Sequence, residues 1–208
     1  RVYMKKILLC LCLLFGYSMA NDKDGFFLGA EIGISEVRVA ASANGGSGKV
    51  ELSAPMYGFK AGYRYFFSDL IGLQGYISFK DSFVGIDSSF NIANVKLQGN
   101  GSSHFMPIMA NADIIFDFYK TQNYSFDAIV GVGLGFAILN DYSLIGNINT
   151  SHSAFYSDAR VGIGTSYDNN RLGLVVSFPI TQATKKVDGI EYKIKQNYAV
   201  ALTYDYKF

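Results

Sequence analysis

From Tyr198 to the last residue, every second position is apolar or aromatic: Tyr198, Val200, Leu202, Tyr204, Tyr206, Phe208. The positions between them, Asn197, Ala199, Ala201, Thr203, Asp205 and Lys207, are small, polar or charged. A period of two predicts a β-strand with one apolar face. The same alternation recurs along the chain. It predicts strands over 26–35, 57–67, 71–80, 106–118, 126–137, 155–167 and 172–180, which with the last stretch makes eight. In the first, Phe26, Leu28, Ala30, Ile32 and Ile34 share a face opposite Phe27, Gly29, Glu31, Gly33 and Ser35. Pro107 carries no backbone N–H and is expected to mark the upper end of the fourth strand. The connections alternate in length. Ser68–Leu70, Tyr119–Tyr124 and Asp168–Asn170 are short turns, whereas 38–54, 81–103, 138–153 and 181–191 read as long polar loops. Within 81–103, Phe90, Ile92, Val95 and Leu97 leave room for some strand above the rest.

Eight alternating strands with no apolar run of the ~20 residues that a membrane helix needs exclude a helical membrane protein. They predict an all-β fold: a closed eight-stranded antiparallel transmembrane β-barrel, with short periplasmic turns, long extracellular loops and both termini periplasmic. Aromatic residues gather at the strand ends in two groups, as interfacial girdles do. Alternation alone does not say which face is inside, so a soluble secreted lipocalin-like barrel, apolar face inward, is the competing fold. Glycines crowd the polar face and suit a narrow lumen better than a solvated surface.

Composition adds compartment. Met4-Lys5-Lys6, the apolar stretch from Ile7 to Tyr17 and Ser18-Met19-Ala20 form the pattern of a secretory signal peptide. Residues 1–20 are expected to be cleaved, leaving a barrel domain over 21–208. Both cysteines, Cys10 and Cys12, lie in that leader, so a disulfide framework and thiolate chemistry are not expected. Removing Arg1, Lys5 and Lys6 from 18 basic residues leaves 15 against 17 acidic, a balance unsuited to nucleic acid.

The leader, the eight alternating strands and the ending Tyr204-x-Tyr206-x-Phe208 together resemble the small OmpA/OmpX-like outer-membrane β-barrel proteins of Gram-negative bacteria. That resemblance implies residence in the cell outer membrane among lipids and lipopolysaccharide. It also implies that Tyr204, Tyr206 and Phe208 act as a C-terminal signal for the barrel-assembly machinery, with periplasmic chaperones as partners during biogenesis. The periplasmic peptidoglycan-binding domain of larger relatives is not expected here, so their tethering role does not carry over.

The face opposite the apolar one carries Glu31, Lys60, Arg64, Asp113, Asp127, Asp158 and Arg160. Eight strands leave an interior just wide enough for side chains, so these residues are expected to form a structural lumen network, with Glu31 pairing Lys60 or Arg64. The inward glycines of strands five and six (Gly131, Gly133, Gly135, Gly162, Gly164) are expected to make room for Lys60 and Arg64 from the opposite wall. Catalysis is not expected. The two histidines, His104 and His152, lack the neighbours that a hydrolase or metal site needs, and no cofactor is implied. The sequence thus points to a structural or surface-interaction (adhesion-type) protein without a general porin channel, its loops meeting a host or cell-surface ligand. A lipid A-modifying barrel enzyme is the alternative.

Overall fold

The computed structural model describes residues 23–43, 46–92, 95–121, 124–141, 150–187 and 190–208. The leader expected at residues 1–20 lies outside them. The described residues contain no helix. They form β1 (Gly25–Ala43), β2 (Gly46–Phe66), β3 (Ile71–Ile92), β4 (Val95–Lys120), β5 (Tyr124–Asp141), β6 (Thr150–Tyr167), β7 (Asn170–Pro179), β8 (Ala183–Val187) and β9 (Ile190–Lys207). Each strand pairs antiparallel with its sequence neighbour, β7 and β8 both lie along β9, and β9 pairs with β1 from Phe27↔Lys207 to Ser42↔Glu191. The sheet is therefore closed, and the nine segments make eight staves, the seventh broken in two.

The break has a local cause. Pro179 cannot donate to the ladder. Beyond it Ile180 still donates to the Ser157 carbonyl at 2.8 Å, and the Thr181 hydroxyl then stands in for a carbonyl by accepting from Ser157 N–H at 3.0 Å.

The apolar face is outside. Phe26 is 65 % exposed and Ile77 66 %, whereas Asp113 and Asp205 on the other face are 0 % and 1 %. A soluble barrel would show the reverse, and the lipocalin-like alternative is overturned. An uncharged outer belt around a charged interior is the architecture of an outer-membrane β-barrel, because lipid offers no partner to a charge or a free backbone group. Tyr65, Phe67, Phe116, Phe118, Tyr119, Tyr124, Tyr204, Tyr206 and Phe208 crowd the end with the short turns, all exposed.

The turns keep their expected places; two are tighter, and the first gains Phe67 because β2 ends at Phe66. Tyr119 and Tyr124 belong to strands, and two residues connect β6 to β7, with Asp168 at φ 49°, a conformation that Asp and Asn tolerate best among non-glycine residues. Both described chain ends lie at this same end. Lys23 reaches the Asp69 carbonyl, and Phe208 N–H donates to Phe26 at 2.9 Å.

At the opposite end the strands run well past the expected limits, so the long segments are largely hairpin rather than loop. β1–β2 pairing continues to Ala43↔Gly46 and β3–β4 pairing to Ile92↔Val95. Pro107 does not end its strand. It lies inside β4, and its effect is a gap in the β3–β4 ladder, where Lys80 and Asp81 have no register partner while pairing resumes at Ser82↔Phe105. In β9, Asn197 is an extra residue between the pairs Glu36↔Tyr198 and Val37↔Gln196. This bulge reverses which residues face inward, so Gln196 is buried above it as Ala199 and Ala201 are below.

The glycines of β5 and β6 are covered by adjacent strands, not by the opposite wall. A Cβ on Gly131 would strike the Asp113 carboxylate and stand 2.7 Å from the Ala112 carbonyl oxygen; one on Gly164 would meet the Arg171 guanidinium. The Lys60 stem lies instead against Gly29. Overpacking such a site costs about 1–3 kcal/mol. Gly131→Val is therefore expected to lower the stability of the folded barrel by that amount, measured as the shift in urea midpoint of the heat-modifiable gel band.

Candidate functional site: the charged lumen and its rims

All seven residues expected in the lumen are there and buried: Glu31, Lys60, Arg64, Asp113, Asp127, Asp158 and Arg160 are each at most 7 % exposed. Their pairing differs from expectation. Lys60 Nζ lies 2.8 Å from Asp205 Oδ1, and Arg64 Nη2 lies 3.3 Å from Asp205 Oδ2. Glu31 is held by Lys80 at 3.3 Å, so the expected Glu31–Lys60 or Glu31–Arg64 pair is replaced. The register explains it. Glu31 is opposite Gly58 on β2, one step above Lys60, and Gly58 is opposite Lys80 on β3, so Glu31 reaches over the glycine to Lys80.

Three charged members of the network were absent from the sequence-based set: Lys80, already described, Asp205 and Arg171. Asp205 gathers Lys60, Arg64 and, at 3.5 Å, Arg171. Arg171 also grips Asp127 with two bonds, Nε to Oδ2 at 3.0 Å and Nη2 to Oδ1 at 2.5 Å, the bidentate geometry favoured for guanidinium and carboxylate. Both sit on the inward parity of their strands. Asp205 was read only as part of the C-terminal pattern, and Arg171 adjoins the turn.

A second group centres on Arg160, whose Nη2 lies 2.5 Å from Asp158 Oδ1 and 2.5 Å from Asn111 Oδ1. It also donates to the Tyr76 hydroxyl and stands 3.8 Å from Asp113. Gln74 joins the two groups, accepting from Arg64 at 3.1 Å and donating to Asp113 at 2.8 Å. Arg64 also lies over the Phe27 ring at 5.2 Å. Among the described residues Lys60, Lys80, Arg64, Arg160 and Arg171 thus face Glu31, Asp113, Asp127, Asp158 and Asp205, and the further buried carboxylate of Asp117 is paired with Lys23.

Apolar clusters pack inside the barrel toward both ends. Phe105, Met109, Ala137, Leu139 and Tyr156 pack together on the hairpin side, with Tyr156 O–H donating to Gln196 at 2.5 Å. Phe66, Ile115, Ile129 and Val175 pack on the turn side. Below them, Lys23 pairs with Asp117 and covers the Phe66 ring at 4.8 Å, at the edge of a small cavity that Arg64, Asp127 and Arg171 also line.

The histidines were expected to lack catalytic neighbours. His152 lies in β6, and its side chain is outside the described residues. His104 lies within β4 on the outward face, and it has a carboxylate. Its Nδ1 is 3.1 Å from both oxygens of Asp81, and Tyr57 O–H donates to Asp81 Oδ2 at 2.9 Å. Among the described residues no group of three His, Cys, Asp or Glu side chains is arranged to hold a metal.

No family model and no curated sequence matches the chain. Solved structures do. Ail, the attachment invasion locus protein of Yersinia pestis, is 17 % identical with 86 % of this chain and 98 % of that one covered, at a TM-score of 0.33. Ail has also been solved with the heparin analogue sucrose octasulfate. Neisserial surface protein A is 17 % identical over 88 % and 97 % at 0.42, and the outer-membrane enzyme PagL is 14 % identical over 85 % and 99 % at 0.44. The closed barrel with its apolar face outward agrees with the expected architecture of a small outer-membrane barrel, and these likenesses assign no role to it. The expectation of a non-enzyme does not hold. PagL is an enzyme, and the Escherichia coli outer-membrane protease OmpT, 8 % identical over 92 % and 99 % at 0.47, is similar too. The barrel fold is compatible with catalysis and gives no ground for excluding it.

Removing one partner from a buried ionic group costs about 3–5 kcal/mol. Asp205→Ala leaves three cations short of a counter-charge and is expected to destabilise the barrel by that amount. Glu31→Ala frees one lysine near the hairpin rim and is expected to cost less. Urea titrations of both variants, followed by circular dichroism because the chain has no tryptophan, give the comparison.

Proposed function

We propose that the protein is an outer-membrane barrel whose work is surface interaction, performed by the sheet that projects from the hairpin end, while the lumen network is a structural filling. One observation carries this reading. Pairing between β2 and β3 stops at Met56↔Ser82, yet β1–β2 and β1–β9 continue about ten residues further. The four strands β8-β9-β1-β2 therefore leave the closed barrel as an open sheet, and the outer edge of β2 over 46–55 has no paired neighbour among the described residues. Its hairpin is braced across the strands by Arg38 and Glu51 at 2.7 Å. An unpaired edge offers backbone donors and acceptors to an incoming extended segment. Natural proteins usually cover or shorten such edges, so a long projecting one supports a binding role.

In this reading the short turns and both termini face the periplasm, the chain arrives there on the leader at 1–20, and the projecting sheet faces outward. The belt contacts outer-membrane lipids and lipopolysaccharide. The exposed strip Tyr204, Tyr206, Phe208 serves recognition by the assembly machinery.

Replacing residues 39–50 by a two-residue turn keeps the Arg38–Glu51 step and removes the projection. Bacteria displaying this variant are expected to lose most of any adherence to epithelial monolayers that the wild-type protein confers, with an unchanged heat-modifiable band. Adherence equal to wild type defeats the reading. The narrow lumen, filled by charged side chains, is expected to give no large stable conductance in planar bilayers.

A further inference from the structure

We propose that Tyr57, Asp81 and His104 form a lipid-phosphate site on the outward face of the barrel. Asp81 is the anomaly that leads to it. By the alternation of β3 it belongs with Ile77 and Phe79 on the lipid-facing side, yet it is 4 % exposed. A carboxylate there is costly unless its oxygens are satisfied. They are, by Tyr57 from β2, directly opposite in register, and by His104 from β4, diagonally across the ladder gap beside Pro107.

The depth is that of the headgroups. Asp81 is ten residues up β3 from Ile71, the strand's first residue at the turn end. At a rise of about 3.3 Å per residue and a tilt of about 40°, that is roughly 25 Å, the height of an outer-membrane barrel's apolar belt. Tyr57 and Phe83, both aromatic and both exposed, flank the cluster as girdle residues do.

The chemistry follows from the histidine. A carboxylate only accepts, so Nδ1 carries the hydrogen that points to Asp81. Nε2 is then the ring's remaining polar atom, on a side chain 33 % exposed. A ring set between Asp81 and a second anion carries two N–H donors, one to each. At this depth in a bilayer the available anion is a lipid phosphate, and a phosphate oxygen is a strong acceptor for a charged N–H. Asp81 acts as a positioning residue that fixes the ring, Tyr57 fixes Asp81, and His104 makes the contact.

Placing the site in the outer leaflet rests on the orientation proposed above. The test does not, because both leaflets of a nanodisc have the same lipids. Protein labelled with 15N-histidine, in nanodiscs containing phosphate-bearing lipid A, is expected to show a 15N–31P dipolar coupling from one imidazole. The signal is expected to vanish in His104→Gln, to persist in His152→Gln and to fall at least fivefold in Asp81→Asn, with the heat-modifiable band retained in all three. It is also expected to vanish in nanodiscs of dephosphorylated lipid A. Absence of coupling in the wild-type protein, full coupling in Asp81→Asn, or coupling in dephosphorylated discs on adding inorganic phosphate would overturn the proposal.

Discussion

Charge neutrality inside a narrow, lipid-enclosed cylinder is the constraint on which the rest depends. The outer belt can shed charge altogether, but the interior of an eight-stave barrel is too narrow for bulk water and lies too far from it to leave ions unpaired. Among the described residues the column sets five cations against five carboxylates, with Asp205 placed where three cations converge and Asp117 paired below with Lys23. Amides and hydroxyls add further contacts. Gln74 ties the Asp205 group to Asp113, and Asn111 and Tyr76 surround Arg160. The glycines belong to the same solution, since Gly58, Gly131 and Gly164 stand where a ligating side chain crosses from the next strand.

Much of this was legible in the sequence, and the parts that were not have identifiable causes. The period of two gave strand identity and face, so every residue assigned to the lumen is in it. Partnership was not legible, because pairing between inward residues depends on register. A shift of two residues exchanges one neighbour for another without altering the pattern, which is how Glu31 came to Lys80 and not Lys60. Strand ends were misjudged at the hairpin side because those segments are polar on both faces. They leave the membrane, and without a buried face the alternation that marks a strand disappears. Asn197 shows the same limit in miniature. One inserted residue turns Gln196 inward, and only the paired strand reveals it.

The two ends of the barrel answer different demands. At the turn end the chain is economical: two- to four-residue connections, an aromatic collar, and Lys23 folded beneath the lumen against Asp117 and Phe66. At the hairpin end the staves lengthen and separate into projecting pieces, and Met109 and Tyr156 belong to an apolar cluster on that side of the lumen. The ion pairs of the lumen lie in the closed part of the cylinder, not in the projecting strands.

The position of Asp205 also bears on the order of assembly. It is carried by the last stave, and the cations it neutralises come from the second and the seventh. A sheet without the last stave in place holds Lys60, Arg64 and Arg171 with one carboxylate too few. Docking of the final stave joins the seam to β1 and delivers the missing charge in the same motion. The interior can dry only when the circle is complete, so sealing and neutralisation are a single event rather than successive ones.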